Sequence, residues 1–294
     1  KLKLEQHKQA GPLLVIVGQT ASGKSSLAMR LAQQHNGEII CADSRTMYKG
    51  MDIGTAKPSK ADQINVRHYL LDEVDPSERI SAHDFVQSAK KVIRQVWSHN
   101  KLPIVVGGSG MYIDALLFGY TFRHHAHSSV DNEGDLSSLR AEVVKLYGDS
   151  VADQDLHNPR RLANILKAGL ANQTDRSHLV YDCLVVGLDV PPDTLKARIA
   201  IRTSQMLQDG LVREVATLRD RYGAQAPGLQ ATGYREVLES SDEATLADRI
   251  NRATWQLARK QRTWFKRNSY VRWCDSVEMA ESLVTTYLAQ SPLQ

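Results

Sequence analysis

Short apolar runs alternate with amphipathic stretches along the first part of the chain. Residues 13–17, 38–42, 103–106 and 183–188 are rich in Val, Ile and Leu, and Gly, Pro or charged residues bound them. Runs of that length without internal alternation suit strands buried on both faces of a parallel sheet. Between them, residues 25–34 read as a helix. So do residues 83–98, where Phe85, Ala89, Val92, Ile93 and Val96 recur at helical spacing. The alternation predicts an α/β fold: a parallel sheet with helices on both faces.

The pattern changes after Leu117. Residues 118–134 are rich in His, Ser and Gly and contain no strand-like run. Residues 135–172 read as helical, with Leu136, Leu139, Val143 and Leu146 at helical spacing. The sheet pattern returns at Cys183. A mostly helical module inserted at residues 120–180 is therefore expected, within a core formed by residues 11–119 and 181–290. From Pro192 onward the chain reads as helical again, over residues 195–218, 244–268 and 276–288.

Composition sets bounds on this picture. The 294 residues are 42% hydrophobic and 24% charged, ordinary for a soluble globular protein. No apolar run approaches the roughly 20 residues of a membrane span. Residues 1–10 are polar and lack the apolar centre of a signal peptide, so the cytoplasm is the expected compartment and no membrane partner is expected. The chain begins without Met, which points to processing or trimming. Cys41, Cys183 and Cys274 are too scattered for a disulfide framework or a zinc knuckle. A net charge of +4 permits a polyanionic partner without requiring one.

Gly18-Gln19-Thr20-Ala21-Ser22-Gly23-Lys24-Ser25 follows the first strand-like run and opens the first helix. In that setting G-x-x-x-x-G-K-[ST] forms a phosphate cradle, and the sheet becomes one of the P-loop NTPase-like type. Its amides and the helix N-terminus face the anion, Lys24 neutralises it, and the Ser25 hydroxyl is placed to hold Mg²⁺. Asp43 ends the second strand-like run and should project toward the same rim, where α/β sheets bind ligands; a turn or helix-capping aspartate is the plain alternative. Gly107-Gly108-Ser109-Gly110 ends the third run, and its small residues suit close approach of a ligand. Asp189, followed by Pro191-Pro192, reads as a turn former. His124-His125-Ala126-His127 has no Cys, Asp or Glu at ligand spacing and reads as a polar loop rather than a metal site.

Residues 249–267 carry a basic stripe. Arg252, Arg259 and Lys266 recur every seven residues, with Arg262 nearby, while Ile250, Ala253, Leu257 and Trp264 share another face. No acidic residue interrupts the segment, so contact with a phosphate backbone is favoured over an ordinary solvated face. Arg160 and Arg161 in the inserted module could extend that surface.

Together these segments resemble the tRNA dimethylallyltransferases of the bacterial type, the tRNA isopentenyltransferase family. The resemblance runs in order through the phosphate loop, Ala42-Asp43-Ser44-Arg45, and Tyr48-Lys49-Gly50-Met51-Asp52-Ile53-Gly54-Thr55-Ala56-Lys57-Pro58. It continues through His68-Tyr69-Leu70-Leu71-Asp72, residues 103–112, Ala231-Thr232-Gly233-Tyr234-Arg235-Glu236 and Arg259-Lys260-Gln261-Arg262-Thr263-Trp264-Phe265. His157-Asn158-Pro159-Arg160-Arg161 departs from the family's usual pattern. The resemblance implies transfer of a dimethylallyl group from its diphosphate to N6 of adenosine-37 in tRNA. Asp43 would take the proton, aided by Lys24 and Ser109. Gly18, Thr20, Ala21, Ser22, Gly23, Lys24, Ser25 and Arg235 would hold the diphosphate with Mg²⁺. It also implies that the inserted module and the basic segment grip the anticodon arm. The implied contacts are Asp43, Ser44, Arg45, Thr46, Ser109, Arg160, Arg161, Gly233, Tyr234, Arg235, Arg259, Lys260, Gln261, Arg262, Trp264 and Lys266. A monomer is expected. Other readings are a prenyltransferase acting on free adenine nucleotides, a P-loop kinase and a noncatalytic RNA-binding switch.

Overall fold

The computed structural model describes residues 11–120, 135–147, 178–240 and 242–291, with a few positions between 156 and 166. The chain divides into two compact units, Lys1–Leu117 with Leu179–Gln294, and Phe118–His178. The larger unit is built on six parallel strands, β1 (Leu13–Gly18), β2 (Gly37–Cys41), β3 (His68–Tyr69), β4 (Leu102–Gly107), β5 (Cys183–Leu188) and β6 (Val271–Cys274), in the order β3-β2-β4-β1-β5-β6. Every residue of β1 and β4 is buried, as unalternating apolar runs require.

Helix α1 (Lys24–Gln34) follows β1, and α2 (Lys60–Asn65) and α3 (Ala82–Ser98) follow β2 and β3. Ser81 and Asp84 close a reciprocal capping box at the start of α3, with Ser81 Oγ accepting from Asp84 N and Asp84 accepting from Ser81 N. Helix α4 (Gly110–Leu117) follows β4, and its all-round burial explains why it shows no helical stripe. In the smaller unit α5 (Leu136–Tyr147) buries Val143 against Leu162, while Leu146 is exposed. The residues expected as the histidine loop at 124–127, and Arg160 and Arg161, lie outside the described residues.

Beyond β5 the chain forms α6 (Pro192–Gln208), α7 (Leu211–Tyr222), α8 (Tyr234–Leu238), α9 (Glu243–Phe265) and α10 (Val277–Gln290). The single helix expected over 195–218 is two helices, because Gly210 takes φ 100° and ends the regular backbone between them. Strand β6 lies in the gap between the helices read at 244–268 and 276–288. Its sequence, Val-Arg-Trp-Cys, places buried Val271 and Cys274 around an exposed Arg272, too short an edge pattern to stand out. No helix of the described residues is long and apolar enough to cross a membrane.

Strand β4 ends against the backbone that leaves β2. A Cβ at Gly107 would overlap the carbonyl oxygen of Ala42, which is backbone and cannot yield as a side chain would. Gly107→Ala should therefore destabilise the larger unit by about 3 kcal/mol or more, measured as a lower urea midpoint. An unchanged midpoint would show that the two strand ends can separate freely.

Candidate active site

The carboxyl ends of β1, β2 and β4 open onto one rim, with β1 between β4 and β5. Chain direction across the sheet reverses there, which leaves a crevice for ligands. The phosphate loop leaves β1 at Gly18 and enters α1 after Gly23, whose φ of 96° an L side chain would strain. Lys24 Nζ donates to Gln19 O at 3.1 Å. Burial of its ammonium pulls the Lys24 pKa down to about 8, with Asp43 opposing the fall and Arg202 adding to it. Ser22 Oγ is buried without a hydrogen-bond partner.

Two cavities meet this rim. The first, about 510 Å³, combines Thr20, Lys24, Ser25 and Asp43 with apolar Met29, Ile39, Cys41 and Val106. The second, about 280 Å³, is lined by Asp43, Ser44, Arg45 and Ser109, by Gly233, and by Thr254, Leu257 and Gln261 of α9. Thr20, Asp43, Thr55 and Arg202 line both. Asp43 Oδ1 accepts from Arg45 N at 2.9 Å, and Ser109 Oγ accepts from Ser44 N at 3.1 Å. The turn after β2 and the glycine loop after β4 are thus fastened to each other.

Arg198 and Arg202, four residues apart on α6, complete the cationic wall and were not singled out from the sequence. Arg198 donates to Ser22 O at 3.2 Å, and Arg202 donates to Thr20 Oγ1 at 3.2 Å and Thr55 O at 3.3 Å. Burial lowers the pKa of Arg202, and Asp43 counters it. The available signal was a pair of arginines at i, i+4 on the helix after a strand neighbouring β1. Arg235, by contrast, lines neither cavity and pairs with Glu236 at 2.8 Å. On α8 that side chain is turned toward Glu236 and away from the cavity expected to take the diphosphate.

Other expected contacts also have internal partners. Tyr234 is fully buried, stacked under Gly54, with its hydroxyl donating to Glu214 at 2.5 Å; it cannot present its ring to RNA. Glu214 also accepts from Asp52 N, Ile53 N and Gly54 N, which fixes the loop of the signature block after Asp43. Its loop supplies Thr55, Ala56 and Lys57 to the first cavity. Trp264 is half-buried over Gly110, and its Nε1 donates to Asp114 at 2.8 Å. Gln261 spans two loops, with Oε1 accepting from Thr20 N at 2.7 Å and Nε2 donating to Gly108 O at 3.2 Å.

The basic segment is not free of counter-charge. Asp189, just after β5, accepts from Nε and Nη2 of Arg262, at 3.2 and 3.1 Å, and lies 3.6 Å from Lys266. The acid comes from 73 residues earlier, so no pattern along the helix could reveal it. Arg259 and Lys260 are exposed and have no ion-pair partner among the described residues. Arg252, also exposed and without an ion-pair partner among the described residues, is with Arg259 the part of the expected basic stripe left without counter-charge.

Anion binding should be strongest while Lys24 holds its proton. Since its folded pKa is about 8, affinity for inorganic diphosphate should fall as pH rises through that value, and Lys24→Met should remove that fall. In the same calorimetric titrations, Arg202→Ala should weaken binding about tenfold or more and Arg235→Ala should leave it unchanged. Equal losses in the two arginine variants would contradict the assignment.

The IPP transferase family model matches residues 46–268. A tRNA dimethylallyltransferase of Leuconostoc mesenteroides is 39% identical, covering 88% of this chain and 89% of that protein. One of Bacillus subtilis strain 168 is 32% identical over 95% of this chain and 96% of its own length. Among solved structures, the tRNA isopentenylpyrophosphate transferase of Bacillus halodurans superposes with a TM-score of 0.74 at 28% identity, covering 96% of this chain and 98% of that one. A eukaryotic dimethylallyltransferase described as acting on tRNA reaches 0.79 at 25% identity, with 96% and 80% covered. The phosphate-loop sheet, its second cavity and the matched span agree, and the chain belongs to the IPP transferase family.

Proposed function

We propose that this chain transfers the dimethylallyl group of dimethylallyl diphosphate to N6 of adenosine-37, beside the anticodon of tRNA, and releases diphosphate. The observation that carries the reading is that Asp43 lines both cavities. One cavity pairs cations with an apolar wall, which suits a charged head on a short hydrocarbon tail. The other opens beside α9, whose Arg259 and Lys260 face solvent, and suits a base extruded from the anticodon loop.

The exocyclic amine of adenine is a weak nucleophile because its lone pair is delocalised into the ring. As it attacks C1 of the dimethylallyl group, the C1–O bond breaks and its electron pair leaves with the diphosphate. Asp43 takes the proton that N6 sheds. Lys24, Arg198 and Arg202 stabilise the charge that builds on the leaving oxygens. Hydrogen bonds to Gln19 O, Ser22 O, Thr20 Oγ1 and Thr55 O hold these cations in place before the reaction, so little reorganisation is needed.

The oxygen donors at this rim fit Mg²⁺. Ser25 offers a hydroxyl and Asp43 a carboxylate in the same cavity. Among the described residues no group of three His, Cys, Asp or Glu could hold an ion alone. Such a cation would come with the diphosphate, complete its shell with substrate oxygens and water, and supply charge neutralisation there.

Labelled dimethylallyl diphosphate offered with unmodified tRNA or with AMP tests the reading: label should enter tRNA. Label entering AMP alone would overturn it. In that assay Asp43→Asn should lower kcat by about 100-fold or more while tRNA binding persists; parallel losses in both would remove Asp43 from proton transfer. Replacing Arg259 and Lys260 by Ala should weaken tRNA binding and reduce the slope of log K against log salt by about 2. An unchanged slope would mean that this face is merely solvated.

A further inference from the structure

We infer that Gln261 is a positioning residue that sets the spacing between the two reactant cavities. The inference rests on the proposed transfer reaction and deepens it.

The phosphate loop and the glycine loop leave adjacent strands, β1 and β4, and no ladder hydrogen bond joins them beyond Val17 and Gly107. One side chain spans the gap. The Gln261 amide accepts from Thr20 N at 2.7 Å on one side and donates to Gly108 O at 3.2 Å on the other. The two bonds determine its orientation, and each amide end keeps the capacity for one further hydrogen bond in the second cavity, which Gln261 also lines. Gly108 has room for it only because it lacks a Cβ; one there would overlap Gln261 Nε2. The anchoring helix is itself fastened to the same two loops. Gln19 Nε2 donates to Ala258 O at 3.2 Å, and Trp264 packs on Gly110.

The two bridged groups belong to opposite halves of the reaction. Thr20 lines both cavities, whereas Gly108 lies beside Ser109 on the wall of the second. The leaving diphosphate and the attacking amine must approach along one line. A glutamine amide is rigid, and its two ends reach one donor and one acceptor at set distances. Through it the two loops hold the reacting atoms at near-attack separation. It touches neither reacting atom.

Steady-state kinetics of the full chain with dimethylallyl diphosphate and tRNA test this role. Gln261→Ala should lower kcat about 100-fold, with KM for both substrates within about threefold of wild type. Gln261→Glu keeps the acceptor for Thr20 N but, when ionised, has no proton for Gly108 O. Its neutral form restores both bonds, so its kcat relative to wild type should climb by about threefold as pH is lowered from 8 to 6. Gly108→Ala displaces the amide from the other side. It should lower kcat similarly, and combining it with Gln261→Ala should add little further loss. Gly108→Ala and Gln261→Glu decide the matter if Gln261→Ala fails to fold. Unchanged kcat in these variants, a loss confined to KM for tRNA, or a pH-independent Gln261→Glu ratio would each overturn the role. Wild type separates this from the underlying reading: no transfer by wild type overturns the proposed function, whereas normal wild-type transfer with unaffected variants overturns the role of Gln261 alone.

Discussion

Backbone groups at the carboxyl edge of the sheet have left their ladders, and side chains from far along the sequence satisfy them. Thr20 N and Gly108 O are taken by Gln261, Ser22 O by Arg198, Thr55 O by Arg202, and three successive amides at 52–54 by Glu214. Buried or half-buried amides and carbonyls without partners would cost on the order of 1–3 kcal/mol each. The loops therefore keep their shape only while α6, α7 and α9 are docked. Anion cradle, aspartate turn and glycine loop are consequences of that docking as much as of their own residues.

The same docking concentrates charge. Lys24, Arg198 and Arg202 converge on a cavity lined by two carboxylates, Asp43 and Asp62, of which Asp43 is the one that acts on Lys24 and Arg202. Desolvation pulls Lys24 and Arg202 toward losing their protons, and Asp43 pulls them back. An anionic substrate head completes that balance better than Asp43 can alone, which releases the carboxylate for other work. Outside the two cavities, Asp189 offsets one of the two charges of Arg262 and Lys266, so the outer face of α9 is less basic than its sequence suggests.

Family membership and local geometry support one another from different parts of the chain. The matched span begins at Thr46, after the phosphate loop and Asp43, so it carries the signature block, the glycine loop and α9. The loop and aspartate enter through the sheet that those later segments hold in place. Bacterial relatives are similar over most of the chain, and the bacterial and eukaryotic solved structures share its fold.

Four strands, the phosphate loop, Asp43 at a strand end and the longest helices were legible in the sequence. Each depends on local periodicity or on a spacing within eight residues, and burial on both faces leaves a strong apolar signature. Edge strands β3 and β6 were not legible, since two to four residues carry too little pattern. Nor was the sorting of functional side chains. Arg202 and Arg235 are both arginines within helices, and Arg259 and Arg262 lie three residues apart on one. Only the tertiary structure decided that Arg202 faces the anion cavity, Arg235 turns to Glu236, Arg262 meets Asp189 and Gln261 joins two loops. The physical reason is that Arg202, Arg262 and Gln261 depend on partners tens to hundreds of residues away, brought into reach by packing rather than by sequence spacing, and that packing also sets which way α8 points Arg235.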